Sequence, residues 1–176
     1  MRKISLYIAS SIDGYIARQS GEVDWLFTDQ DYGYTEFFAQ IDTVIMGSKT
    51  YLQVLNFGEY PYQEKEGFVF SKTLQGETNH NIKFVGSDWK DFVETLRQSD
   101  GGNIWLVGGA AMIYSFMKHK FIDELILSIH PIILGNGISL IVNDANLETK
   151  LELKDIKTYN SGLVQVSYDL QKSLQT

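Results

Sequence analysis

The stretch Ile104-Trp-Leu-Val-Gly-Gly-Ala-Ala-Met-Ile-Tyr114 constrains this chain more than any other. A short apolar run meets a Gly-Gly pair, and an apolar helical pattern follows at once. A buried strand delivers its carboxyl end to a helix N-terminus in this way, with no side chain intervening. Gly108 and Gly109 let a ligand approach the main chain closely. The helix start behind them offers N–H groups without intrahelical partners and the positive end of the helix dipole, which suits a phosphate. Val44-Ile-Met-Gly-Ser-Lys-Thr-Tyr51 repeats the theme upstream. Here an apolar strand ends in Gly47, Ser48 and Thr50 supply hydroxyls or a helix cap, Lys49 supplies a positive charge, and Tyr51 to Leu55 reads as helix. Two turns of this kind could each hold one phosphate of a dinucleotide, or could be architecture alone.

The composition narrows the remaining possibilities. With 176 residues, 44% hydrophobic and 13% aromatic, the chain reads as one domain, 1–176, with a full core. A net charge of −7 argues against a nucleic-acid backbone or an anionic membrane surface as the main partner. An anionic ligand would then need local positive charge, which makes Lys49 and Lys72 matter more than the total. The absence of cysteine excludes disulfides and thiolate chemistry. His80, His119 and His130 share no ligand spacing with nearby carboxylates, so no metal site is expected. Met1-Arg-Lys leads directly into a strand and no apolar run approaches spanning length, so the expected location is cytoplasmic.

Hydrophobic periodicity gives the elements. Strands are expected from Ile4 to Ala9, Thr43 to Met46, Gly67 to Phe70, Ile82 to Val85 and Asn103 to Val107, with the longest apolar run from Leu125 to Leu134. Helices are expected over Tyr34 to Ile41, from Trp89 through Leu96 with Ser87 or Asp88 as cap, and over Ala110 to Met117. This last helix reads as too apolar to face water on most sides. Leu151 to Tyr159 and Leu163 to Leu170 alternate well enough to pair around Asn160-Ser-Gly162. The pattern implies a three-layer α/β sandwich: a mostly parallel central sheet with an antiparallel C-terminal hairpin. Ligands in such sheets gather at the carboxyl ends of the strands, where both glycine turns lie.

Four ordered segments carry a family resemblance. They are Ile4 to Ala17, Val44 to Tyr51, Leu106 to Ala111, and Ile129-His-Pro-Ile-Ile-Leu-Gly-Asn-Gly137. Together they resemble the dihydrofolate reductase-like superfamily, in the branch of the riboflavin biosynthesis reductase, the RibD C-terminal domain. The resemblance implies an NADPH-dependent reductase of a small heterocyclic or carbonyl substrate. By that likeness Gly47, Ser48, Lys49 and Thr50 face cofactor phosphates, Ser71 and Lys72 grip a 2′-phosphate, and Val107, Gly108, Gly109, Ala110 and Ala111 line the pyrophosphate path. Ala9 and Ile16 lie along the nicotinamide. Trp25 and Ser128 fall where the superfamily touches substrate. The branch commonly forms a homodimer, expected here through Leu125 to Val142. Two positions depart from the pattern: Ser48 replaces a common Arg or Lys, and Val107 stands where the riboflavin reductase carries Glu.

Hydride transfer also needs a proton source beside the reduced atom. Counting back from Val44 places Asp31 at the superfamily's substrate acid, whereas counting forward from Trp25 favours Gln30 or Asp29. Asp31 is the expected proton donor, with helix capping as its other reading. Asp13 in Ile12-Asp-Gly14 either orients substrate or makes an ordinary turn. Two further function classes remain open: a dinucleotide-binding module without turnover, and a structural or interaction domain.

Overall fold

The computed structural model describes residues 1–74 and 81–171, so His80 lies outside the described residues. The chain opens with β1 (Ile4–Ser10), β2 (Tyr15–Ala17), α1 (Tyr34–Ala39), β3 (Ile41–Gly47) and α2 (Ser48–Asn56). Next come β4 (Glu66–Phe70), β5 (Ile82–Val85), α3 (Trp89–Gln98), β6 (Asn103–Gly108) and α4 (Ala110–Lys118). It closes with β7 (Glu124–Ile129), β8 (Ile138–Ser139), a single 3-10 turn at Ala145–Leu147, β9 (Leu151–Thr158) and β10 (Val164–Leu170).

The main sheet has eight strands in the order β5-β4-β3-β6-β1-β7-β10-β9. The first six run parallel, and the hairpin β9–β10 adds antiparallel to β7. The expected fold class is therefore the observed one. β1 sits between β6 and β7, so its carboxyl end lies beside the point where the connections leave in opposite directions, the usual crevice for a ligand.

Alternation along the strands builds two cores. Ile4, Leu6, Ile104 and Leu106 pack under α3 and α4 through Val93, Leu96, Ile113 and Phe116. On the other face Val44, Met46, Val69 and Trp105 pack under α1 and α2 through Phe37 and Tyr51. This second layer is richer in aromatic side chains than the first; in it Tyr7 stacks on Phe37 at 4.4 Å and Trp105 stands edge-on to both Phe37 and Tyr62.

Some expectations need correction. The first helix ends at Ala39, and Ile41 instead starts β3, because Gln40 closes the helix with its N–H on the Phe37 carbonyl. α4 buries only Ile113 and Phe116 and leaves Ala111 exposed, so it is less enclosed than its apolar sequence suggests. Of the apolar run from Leu125 to Leu134, β7 takes up the part to Ile129, ahead of His130 and Pro131. Asp88 occupies the N-cap position of α3 but makes no side-chain cap bond, and neither does Ser87.

Candidate functional site

β3 and β6 are neighbours, with Met46 opposite Gly108, so the two glycine turns emerge side by side. Gly47 is the N-cap of α2 and Gly109 the N-cap of α4, and neither helix start has a side-chain cap. Ser48 is itself the first helical residue and caps nothing, contrary to the capping reading. No side chain occupies the first-turn N–H groups of either helix, although the Met112 N–H donates to the Gly109 carbonyl at 3.0 Å. The turns also touch. A Cβ on Gly109 would lie 3.0 Å from Thr50 Oγ1, and one on Gly47 would lie 3.0 Å from Met112 Cγ. Gly108 has φ of 134°, a conformation that favours glycine, and the Gly108–Gly109 peptide is cis. Gly47, Ser48, Lys49 and Thr50 therefore meet Gly108, Gly109, Ala110 and Ala111 in one place.

β4 ends alongside β3, with Phe70 opposite Gly47. Ser71 Oγ then accepts the N–H groups of Thr73 and Leu74 at 3.2 and 2.9 Å, closing a turn that carries Lys72 outward. Lys49 and Lys72 are exposed, and among the described residues neither has a carboxylate within ion-pair distance.

On the far side of β1, Ala9 pairs with Ser128 of β7. Val107 belongs to the same face of the sheet as Ala9 and Tyr7, packing with the α1–α2 core, so that face receives no carboxylate from β6. Ile16 packs instead with the α3–α4 core. Trp25 is buried with its indole N–H unpartnered and its ring edge-on to His130 at 5.2 Å. His130 Nε2 accepts the N–H of Phe27 at 3.2 Å, while Nδ1 contacts the Ser128 carbonyl at 3.3 Å; the pair fixes the neutral tautomer protonated at Nδ1. His130 therefore fastens the segment before α1 to the end of β7.

Burial lowers the His130 pKa, with the Ser128 carbonyl opposing in part. A histidine whose folded pKa is depressed binds its proton more readily in the unfolded chain. Stability is then held above the unfolded value of about 6.5 and lost as pH falls through it. Chemical denaturation of the wild type between pH 7.5 and 5.5 is expected to show this loss, and His130→Gln to reduce it. An unchanged slope in the variant would remove His130 as its source.

Both expected acids are engaged by other groups of the chain. Asp31 is exposed; its carboxylate accepts the N–H and the hydroxyl of Thr35 at 3.0 and 2.6 Å, tying down the first turn of α1. The Thr35 hydrogen bond holds its pKa below the usual carboxylate value, as suits a helix-start anchor. Asp29, the other candidate, accepts from the Tyr32 hydroxyl at 2.7 Å. Asp13 accepts Ser11 Oγ at 2.6 Å and the N–H groups of Leu134 and Gly135 at 3.1 and 2.7 Å. Ser11 and these amides hold its pKa down, so Asp13 clamps the loop after β1 onto the Gly135-Asn-Gly137 segment. The β2–β8 pairing extends the same junction.

The groups that converge around Ser128 are uncharged. Gln165 Nε2 donates to Ser128 Oγ at 3.0 Å and to the Tyr32 carbonyl at 3.1 Å, and lies 3.4 Å from the Tyr7 hydroxyl. The Tyr7 hydroxyl also donates to the Tyr32 carbonyl at 3.2 Å. Sequence reasoning found Ser128 but missed Tyr7 and Gln165. Tyr7 stands between the apolar Leu6 and Ile8 of β1, whereas Gln165 shares β10 with Ser167 and Asp169 and carried no comparable signal.

The model of the RibD C-terminal domain matches residues 2–165. The chain belongs to the RibD C-terminal domain family. Its fold is accordingly the dihydrofolate reductase-like one. An uncharacterized protein of Bacillus subtilis, YwjB, is 40% identical over 171 residues, spanning 95% of this chain and 97% of the relative. A putative riboflavin biosynthesis protein from Shewanella sp. PV-4 superposes with a TM-score of 0.84 at 28% identity, covering 98% of this chain and all of that one. The deaminase/5-amino-6-(5-phosphoribosylamino)uracil reductase of Thermotoga maritima gives a TM-score of 0.74 at 18% identity. The match to it covers 97% of this chain and 57% of the Thermotoga chain. Among the described residues of this RibD C-terminal domain chain there is no metal-ligating cluster, and no helix is long and apolar enough to cross a membrane.

Proposed function

We propose that this chain is an NADPH-dependent reductase of a small heterocyclic or carbonyl substrate. The observation that carries the reading is the pair of uncapped helix starts at Gly47 and Gly109, touching through Thr50 and Met112. Two adjacent helix starts without a side-chain cap, with Lys49 at their rim, fit a pyrophosphate, and Lys72 beyond β4 fits a further phosphate. Thr50 and the glycine backbone orient the ligand; Ala9 and Ser128 form the wall against which the reacting ring is held. NADPH when bound supplies the hydride. The neutral hydroxyl and amide groups of Ser128, Tyr7 and Gln165 hold the substrate's polar atoms, which restricts its orientation.

Quenching of the three tryptophans on titration with NADPH and NADH tests the cofactor site. NADPH is expected to bind more tightly, and Lys72→Ala to weaken it by about tenfold, or 1.4 kcal/mol, while leaving NADH unchanged. Equal loss for both nucleotides would move Lys72 away from the 2′-phosphate. Binding of neither would overturn the reductase reading. A binding module without turnover is favoured by the engagement of Asp13 and Asp31 elsewhere. It predicts tight NADPH binding with no hydride transfer to any heterocycle offered.

The same reading includes a homodimer. Within Leu125 to Val142, Ile133, Ile141 and Val142 are 71%, 45% and 40% exposed. Leu153 and Ile156 of β9 lie opposite Tyr168 and Val166 on the α3–α4 side, yet are 50% and 54% exposed. So much apolar surface calls for cover. Charged Glu152, Lys154 and Lys157 and a register shift beside Ser167 blunt strand-to-strand pairing at this edge, so a second copy would meet the face of the sheet. Light scattering at micromolar concentration is expected to give a dimer mass; a monomer would refute this.

A further inference from the structure

Toward the amino ends of β1 and β7 the α1–α2 face holds a polar groove of about 140 Å³. Ser5 of β1, Glu124 of β7 and Gln165 of β10 form its floor, with Glu36 and Gln40 on the side of α1 and Lys157 on that of β9. Gly33, just before α1, and Gln40, just after it, both line the groove, so it follows the helix from end to end. The hydrogen bonds among Tyr7, Gln165, Ser128 and Tyr32 stand between it and Ala9. The groove is therefore separate from the glycine turns at the carboxyl ends of the strands.

Its charges are sorted by position. Gln165 lies opposite both Ser128 and Lys157, which puts the Lys157 ammonium at the hairpin end. There Nζ is 4.0 Å from where a Cβ on Gly33 would stand. Glu124 comes four residues before Ser128 on β7, about 13 Å away along the strand. Glu36 lies between these ends on α1. Among the described residues none of the three charges has an ion-pair partner, so Lys157 reaches neither carboxylate.

Two acceptors are left over as well. Gln165 is 5% exposed and donates from its amide nitrogen to Ser128 and Tyr32, yet its Oε1 accepts nothing among the described residues. That oxygen lies 3.7 Å from the same point over Gly33, on the side of the groove. Glu124 takes the Ser5 hydroxyl on Oε2 at 2.6 Å and keeps Oε1 for another donor. A ligand that satisfies all of these groups carries a carboxylate for Lys157, an amide N–H beside it for Gln165, and an ammonium for Glu36 and Glu124. A short peptide has these three groups in this order. Three extended residues span at most about 10 Å, and the inward reach of Lys157 and Glu124 covers the remainder.

We infer that this groove is a second ligand site, which binds a short zwitterionic amide of tripeptide size. Its carboxylate sits at Lys157 and its ammonium at Glu36 and Glu124. The inference is independent of the reductase reading.

Triglycine, its N-acetyl form and its C-terminal amide serve as probes, with the NMR signals of the Gln165 side-chain amide as the readout. Triglycine is expected to shift these signals and to bind at least about threefold more tightly than either blocked form. Lys157→Ala should remove its advantage over the C-terminal amide. Glu36→Gln with Glu124→Gln should remove its advantage over the N-acetyl form. Melting temperatures check that the variants fold; if the double variant does not, Glu36→Gln alone, on the exposed side of α1, should reduce that second advantage. Saturating NADPH should leave the affinities unchanged. Gln165 signals that no probe moves would leave the groove to water and overturn the inference. Equal binding of all three probes, or their displacement by NADPH, would overturn it too.

Discussion

Charge reversal at both exposed lysines, Lys49→Glu with Lys72→Glu, is expected to weaken NADPH binding by at least about a hundredfold, or 2.7 kcal/mol. A unit charge about 5 Å from a phosphate is worth roughly 0.8 kcal/mol at the dielectric of water and about 3 kcal/mol at an effective dielectric near 20. Reversing two such charges removes two attractions and installs two repulsions, so the estimate is conservative for sites at the surface. Neither lysine has an ion-pair partner among the described residues, so the fold should be spared, and the melting temperature is the control. The single variants separate the two seats. On the proposed reading Lys49→Glu should weaken NADPH and NADH alike, since the pyrophosphate is common to both; Lys72→Glu should weaken NADPH alone. Affinity should also fall with salt in the wild type and rise with salt in the double variant. If the double variant binds NADPH as the wild type does, phosphates do not sit at these turns.

That experiment probes the part of the site most legible in the sequence. A strand running into Gly-Gly and then into helix is a local pattern, and local patterns survive folding: Gly47 and Gly109 stand where the sequence puts them. Their contact through Thr50 and Met112 follows from β3 and β6 being adjacent, which no local signal announces. The hairpin around Asn160 to Gly162 was equally readable, since alternation on both sides of a turn leaves little choice. The partners of the acids were hidden for the opposite reason. Counting residues locates Asp31 along the chain but does not tell which way its side chain turns, and Thr35, four residues on, captures it. Asp13 is held by amides 121 and 122 residues away. Gln165 reaches Tyr7 across 158 residues, through the register of β10 on β7 and of β7 on β1. Long-range register decides these contacts, and the sequence displays only its hydrophobic half.

The wall formed by Ala9 and Ser128 depends on that register, and one buried ion pair helps to set it. Arg97 on α3 places NH2 at 2.8 and 2.9 Å from the two oxygens of Asp123, just ahead of β7. Asp123 also accepts the backbone N–H of Ile4 at 2.9 Å at the start of β1. The side chains are only 9% and 18% exposed. Asp123→Ala is expected to cost about 3–5 kcal/mol, because it strands a buried guanidinium and removes the acceptor for Ile4 together. For a chain of this size that is a fall in melting temperature of roughly 10 °C or more. Asp123→Asn keeps an acceptor for Ile4 and should cost less. Adding Arg97→Met to Asp123→Asn should recover about 1–2 kcal/mol by removing the uncompensated charge, a coupling that independent sites would not show. A cost below about 1 kcal/mol for Asp123→Ala would mean that Arg97 finds water or another acceptor. The link from β1 to β7 would then rest on backbone pairing alone, and NADPH oxidation in the variant should match the wild type.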